Sequence, residues 1–271
     1  MLLIKEELKM EPLILIVAAG EGKRLYPITK DIPKPFLDIV KDKDGKDKKL
    51  IDLVMEPLPD GIEKAVLVKK TEKFRQFEAY LRDTYGFDNR NILYQPKWID
   101  FSELPLALYL GKVSRHKSFI RQFDPIILVP ADVIIFSGLS YLDLLKFHNK
   151  NNADVTMPVI HGFLEGSNTR VYTIEDGRFV KASAYIYKGF GGALTENDRI
   201  YTHEGTYVLG RRFFDLPLSR LIKKDHRAPP FTGVYKSLKF VPCEGNFDWK
   251  DVVNDENLKI VKERFAKNDY R

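Results

Sequence analysis

The sequence has little of what marks several protein classes. It holds one cysteine, Cys243, in 271 residues. No internal disulfide can form, and a reducing, cytoplasmic setting is expected. No apolar run approaches the ~20 residues that a membrane-crossing helix needs. The opening MLLIKEELKMEP carries charges where a secretion signal keeps its apolar core, so no membrane partner is expected. Internal repeats and a low-complexity tail are lacking too. Acidic residues are slightly outnumbered, 38 Asp and Glu against 44 Lys and Arg, for a net charge of +6 and a pI near 9.1. The lysines are interleaved with acids along most of the chain, which describes a solvated surface and no nucleic-acid footprint. A hydrophobic content of 44% with 30% charged residues belongs to a soluble globular chain long enough to bury a substantial core.

What the sequence does have is one organising stretch, Leu13 to Leu37. The apolar, β-branched run Leu13–Ala19 reads as a buried strand of a parallel sheet. It ends in Gly20-Glu21-Gly22-Lys23-Arg24, where two glycines allow a tight turn that brings N–H groups against an anion. Lys23 and Arg24 add charge, and Pro33-Lys34-Pro35 fixes a further lysine on a stiff segment. Spacing excludes two common phosphate loops. A Walker loop needs glycine where Val17 stands and Ser or Thr where Arg24 stands, and the dinucleotide fingerprint needs a third glycine at Leu25.

Gly20, Gly22, Arg24, Leu25, Pro27, Thr29, Pro33, Lys34 and Pro35 closely match Gly-x-Gly-Thr-Arg-Leu-x-Pro-x-Thr followed by Pro-Lys-Pro. In this the chain resembles the sugar-nucleotide pyrophosphorylases, the sugar-1-phosphate nucleotidyltransferases. Lys23 stands where Thr is usual. The resemblance implies an enzyme that makes an NDP-sugar and pyrophosphate from a nucleoside triphosphate and a sugar 1-phosphate, with Mg²⁺. It further implies that Ala19, Gly20, Glu21, Gly22 and Lys23 line the nucleotide, with Arg24 and Lys34 on its phosphates. Two other readings stay open. One is a cytidylyl- or molybdopterin-type nucleotidyltransferase acting on a non-sugar phosphate. The other is a non-catalytic regulatory paralogue.

Further along, Lys41–Lys49 reads as an exposed hairpin turning at Asp44-Gly45. Strands are expected at Glu63–Val68, Asn91–Gln95, Pro125–Pro130 and Ala153–Ile160. Helices are expected at Leu50–Leu58, from Thr71 to near Gly86, at Leu104–Val113 and at Leu139–Asn149. This alternation predicts an α/β fold: a doubly wound, mostly parallel, Rossmann-like sheet with ligands at the carboxyl ends of its strands. Beyond Gly162 the Tyr-, Val- and Thr-rich stretches Arg170–Glu175, Arg178–Tyr187 and Arg199–Leu209 predict a smaller mixed-β lobe. Residues 1–271 then form one catalytic domain, with a nucleotide lobe at about 10–160 plus the C-terminal part and a sugar lobe at about 162–245. The Tyr187–Leu194 connection, made flexible by Gly189, Gly191 and Gly192, would be a lid.

Triphosphate chemistry needs a hard cation held by carboxylates. Asp132, after the apolar strand ending at Pro130, takes the place of the family's Gly-Gly-Asp. Trp249-Lys250-Asp251-Val252 is similar to the family's Trp-x-Asp segment. The resemblance therefore makes Asp132 and Asp251 the Mg²⁺ ligands, brought together only by the fold. It places Gln95 at the base edge and Lys188, in Tyr187-Lys188-Gly189, at the sugar phosphate. His203 stands where a sugar-facing Asn is usual, and Ser102–Leu108 lacks the usual glycines beside the base. The partners implied are a nucleoside triphosphate and a sugar 1-phosphate, without nucleic acid or membrane, and compatible with a homo-oligomer.

Overall fold

A computed structural model describes residues 10–95, 103–112, 114–161, 171–175, 178–183, 201–202, 205–217 and 238–267. The chain begins with β1 (Leu13–Val17), then a hairpin of β2 (Asp38–Lys41) and β3 (Asp47–Lys49), and α1 (Leu50–Met55). Next come β4 (Glu63–Lys69), α2 (Arg75–Tyr85), β5 (Ile92–Gln95), α3 (Glu103–Lys112) and α4 (Lys117–Ile120). β6 (Ile126–Pro130), β7 (Val133–Ser137), α5 (Tyr141–Lys150) and β8 (Val155–His161) follow. The remaining strands are β9 (Val171–Glu175), β10 (Arg178–Ser183), β11 (Tyr201–Thr202), β12 (Tyr207–Leu209), β13 (Phe240–Glu244) and β14 (Asp248–Asp251). The last element is α6 (Asp255–Ala266).

The central sheet runs β11-β8-β12-β6-β1-β4-β5, with β13 also paired to β8. β5, β4, β1 and β6 are mutually parallel, so their carboxyl ends share one edge. β12 is inserted antiparallel between β6 and β8. β1 is apolar throughout because both its faces are covered. Leu13 and Leu15 pack with Leu67, Leu93 and Leu128 under Leu110 and Ile120 on one side. Ile14 and Ile16 pack with Val66, Val68 and Ile127 under Phe77, Leu81, Leu144 and Leu145 on the other. Helices on both faces make the fold α/β and doubly wound, as expected.

Three differences from the sequence reading bear on the site. The run Val133–Ser137, passed over in the sequence, is a strand, β7, and it pairs antiparallel with β14 outside the central sheet. Arg199–Leu209, expected in a separate lobe, supplies β12 to the central sheet, where Tyr207, Val208 and Leu209 are fully buried. The helix expected from Thr71 opens instead with a 3₁₀ turn at Glu72–Phe74 before α2, which ends on left-handed Gly86 as predicted. The Asp44-Gly45 hairpin forms, with Gly45 at φ 79° and the Asp42 carboxylate accepting from the Asp44 and Lys46 amides.

Candidate functional site

The carboxyl ends of the four parallel strands bring together Val17, Lys69, Gln95 and Pro130, and the loops beyond them make the mouth. After β1 the backbone is tied inward, Ala18 N–H to Leu67 O at 2.9 Å and Ala131 N–H to Val17 O at 3.1 Å. Ala19 is buried, and Gly20 faces open space. Gly22 adopts a left-handed conformation, φ 69°, and opens the 3₁₀ turn Lys23–Leu25. Leu25 is fully buried as the anchor of that turn, whereas Lys23 and Arg24 are exposed. The Thr29 hydroxyl donates to Gly22 O at 2.7 Å, closing the loop on itself.

Asp132 and Asp251 lie on neighbouring segments. Asp132 follows β6, and β14 runs antiparallel to β7 with Asp251 opposite Val133. The Val252 amide donates to Asp132 O at 2.7 Å, locking the two segments together. The cause is apolar: Leu25 of the glycine segment, Ile134 and Phe136 of β7, Val252, and Leu258, Val261 and Phe265 of α6 form one buried cluster. Trp249 packs with Val133 and Ile135 on a separate small cluster. Burial of this set draws three distant parts of the chain to one point.

Lys34, also expected at the phosphates, reaches the mouth and ion-pairs with Asp132 Oδ2. Burial, then the Asp132 charge beside it, pushes the Asp251 carboxyl above the ordinary aspartate range. Asn257 donates from its side chain to Asp251 O at 2.8 Å and Asp251 Oδ1 at 2.9 Å. Asn254 caps the same helix, its Oδ1 accepting from the Asn257 amide at 2.8 Å. Gln95 is buried at the end of β5, in register with Lys69. Lys188, His203 and the expected lid at 187–194 lie outside the described residues, as does Ser102 of the segment expected beside the base.

The family model described as "Nucleotidyl transferase" matches residues 13–165, more than half of the chain. The chain belongs to the nucleotidyl transferase family. Its relatives include the bifunctional protein GlmU of Methanococcus vannielii, 28% identical over 94% of this chain and 55% of that protein. Another is the glucose-1-phosphate adenylyltransferase of Bacillus subtilis, 24% identical over 95% of this chain and 72% of the relative. This chain thus spans about half the length of the GlmU protein that it matches. The crystal structure of an apo UDP-glucose pyrophosphorylase superimposes with a TM-score of 0.64 at 18% identity, over 96% of this chain and all of the other, which shows a shared fold.

This nucleotidyl transferase holds its mouth with residues to which the sequence reading gave no role. Lys69, Lys73 and Asn257 all contact the predicted site residues. The two lysines gave no signal of a role, since a lysine at a strand end or in a turn reads as solvated. Asn257 gave one, lying three residues after a helix-capping Asn254.

Proposed function

We propose that this chain transfers a nucleotidyl group from a nucleoside triphosphate to a sugar 1-phosphate, releasing pyrophosphate. The observation that carries the reading is the convergence of Asp132 and Asp251 with Lys34 beside the glycine turn, within a nucleotidyl transferase chain. A divalent cation suits this donor set. The Asp251 carboxyl is raised first by burial and then by the Asp132 charge beside it, and a cation would relieve both. Among the described residues no group of three or more His, Cys, Asp and Glu gathers as a metal cage. Mg²⁺ commonly takes one or two carboxylates and completes its shell with phosphate and water. Asp132 and Asp251 would hold it, and it would supply charge neutralisation at the phosphates.

In the reaction a sugar-phosphate oxygen forms a bond to the α-phosphorus while the bond to the departing pyrophosphate breaks. The attacking oxygen is already anionic near neutral pH, so no protein base is required. The chain's own work is alignment and charge. The glycine turn cradles the phosphates, Arg24 and Lys34 offset the charge of the leaving pyrophosphate, and Gln95 meets the nucleoside. Lys188 would receive the sugar phosphate from the segment between β10 and β11.

The test is a turnover panel pairing each nucleoside triphosphate with several sugar 1-phosphates and with non-sugar phosphates, read by pyrophosphate release. Release is expected with at least one sugar 1-phosphate. Release only with non-sugar acceptors, or none at all, would contradict the reading.

A further inference from the structure

Two lysines unused by that chemistry grip the glycine turn from the β4 side. Lys69, the last residue of β4, has a side chain only 7% exposed and ion-pairs through Nζ with Glu21 Oε1 at 2.5 Å. A buried ammonium without a partner is strongly destabilising, so this pair fixes where Glu21 can stand. Lys73 Nζ donates to two carbonyls of the turn, Glu21 O at 2.9 Å and Thr29 O at 2.6 Å.

The consequence follows from peptide geometry. In a trans peptide the C=O and N–H lie in one plane and point opposite ways, and neither the 21–22 nor the 22–23 peptide is cis. With Glu21 O drawn onto Lys73, the Gly22 N–H is aimed away from Lys73. With Gly22 O held by Thr29 Oγ1 and the Leu25 amide, the Lys23 N–H is aimed away from that anchor. Successive amides freed in this way, with a left-handed residue between them, form an anion-binding concavity. Glu21 works against such a site by adding negative charge beside a polyphosphate. Lys69 cancels that charge: the Glu21 carboxyl is held below the usual glutamate range, chiefly by its hydrogen bond from Lys69.

We propose that Lys69 and Lys73 are positioning residues for the polyphosphate. Lys73 turns the Gly22 and Lys23 amides outward, and Lys69 pins and neutralises Glu21. The identity of the anion as a nucleoside triphosphate rests on the function proposed above, so the probe is inorganic tripolyphosphate, measured by calorimetry beside thermal melting. Lys73→Met is expected to weaken tripolyphosphate binding at least about tenfold, the scale of one charge-assisted contact network. Its melting midpoint should change little, and Lys73→Arg should recover most of the loss. Lys69→Met should weaken binding by leaving a bare carboxylate, and the Glu21→Gln, Lys69→Met double variant should recover it. Loss and recovery of binding while the melting midpoint stays level is a result that a merely structural pair does not give. Wild-type affinity in a folded Lys73→Met protein, or a double variant as weak as Lys69→Met, would overturn the proposal. These losses in a protein that releases pyrophosphate from no triphosphate would support the positioning role and contradict only the transfer function.

Discussion

Gly22 shows how narrowly a single residue can be specified. At φ 69° an added Cβ would stand 3.1 Å from Thr29 Oγ1 and 3.4 Å from Lys34 Cβ. Gly22→Ala is therefore expected to cost about 1–2 kcal/mol in backbone strain and to displace Thr29. An unfolding free energy lowered by that amount in a urea titration, with weaker triphosphate binding by calorimetry, is the expected outcome. An alanine variant with wild-type stability would contradict it. The need for glycine here was legible because a turn after a buried strand and before clustered cations leaves few alternatives. The roles of Lys69 and Lys73 were not legible. A lysine at a strand end or in a turn ordinarily reads as solvated, and only coordinates show Lys69 buried against Glu21.

At the scale of elements, the site depends on α6 as much as on the strands. Asn254 caps this helix and Asn257 in its first turn holds Asp251, so the helix start sets the carboxylate's position. Asn257→Leu should lower kcat with little change in triphosphate KM, because it frees an acid without removing a phosphate contact. A turnover assay beside a melting curve checks this, and an unchanged kcat would count against α6 as the support of Asp251. The alternation of strands and helices was readable through β8 because the apolar runs are long and clearly bounded. β7 was missed because Val133–Ser137 follows β6 after only two residues, too close for the helical crossover that the alternating pattern leads one to expect. β12 was assigned to the wrong place because composition distinguishes strands from helices and says little about which sheet a three-residue strand joins.

The whole molecule carries a dependence on pH remote from the mouth. His148, on α5, is buried with its Nδ1 2.9 Å from Thr156 Oγ1, and burial pushes its pKa down to about 4. The unfolded chain binds this proton near the ordinary pH of 6.5 and the folded chain does not. Stability is therefore full above about pH 6.5 and declines as pH falls towards 4, by on the order of 3 kcal/mol for this group. Denaturant midpoints of the wild type are expected to drop between pH 6.5 and 5, and those of His148→Gln to fall less steeply. Parallel curves would contradict the assignment.

At that same scale, the fold's main service is to set Asp132 and Asp251, far apart in the chain, on neighbouring segments. The most direct measurement is a Mg²⁺ titration of pyrophosphate release by the wild type and by Asp251→Asn. The wild type should require Mg²⁺ and lose activity to a chelator. The variant should lose at least about 100-fold in kcat/KM, the scale of one removed transition-state charge contact, and should need more Mg²⁺ for half-maximal rate. Equal rates and equal Mg²⁺ requirements in the two proteins would contradict the account.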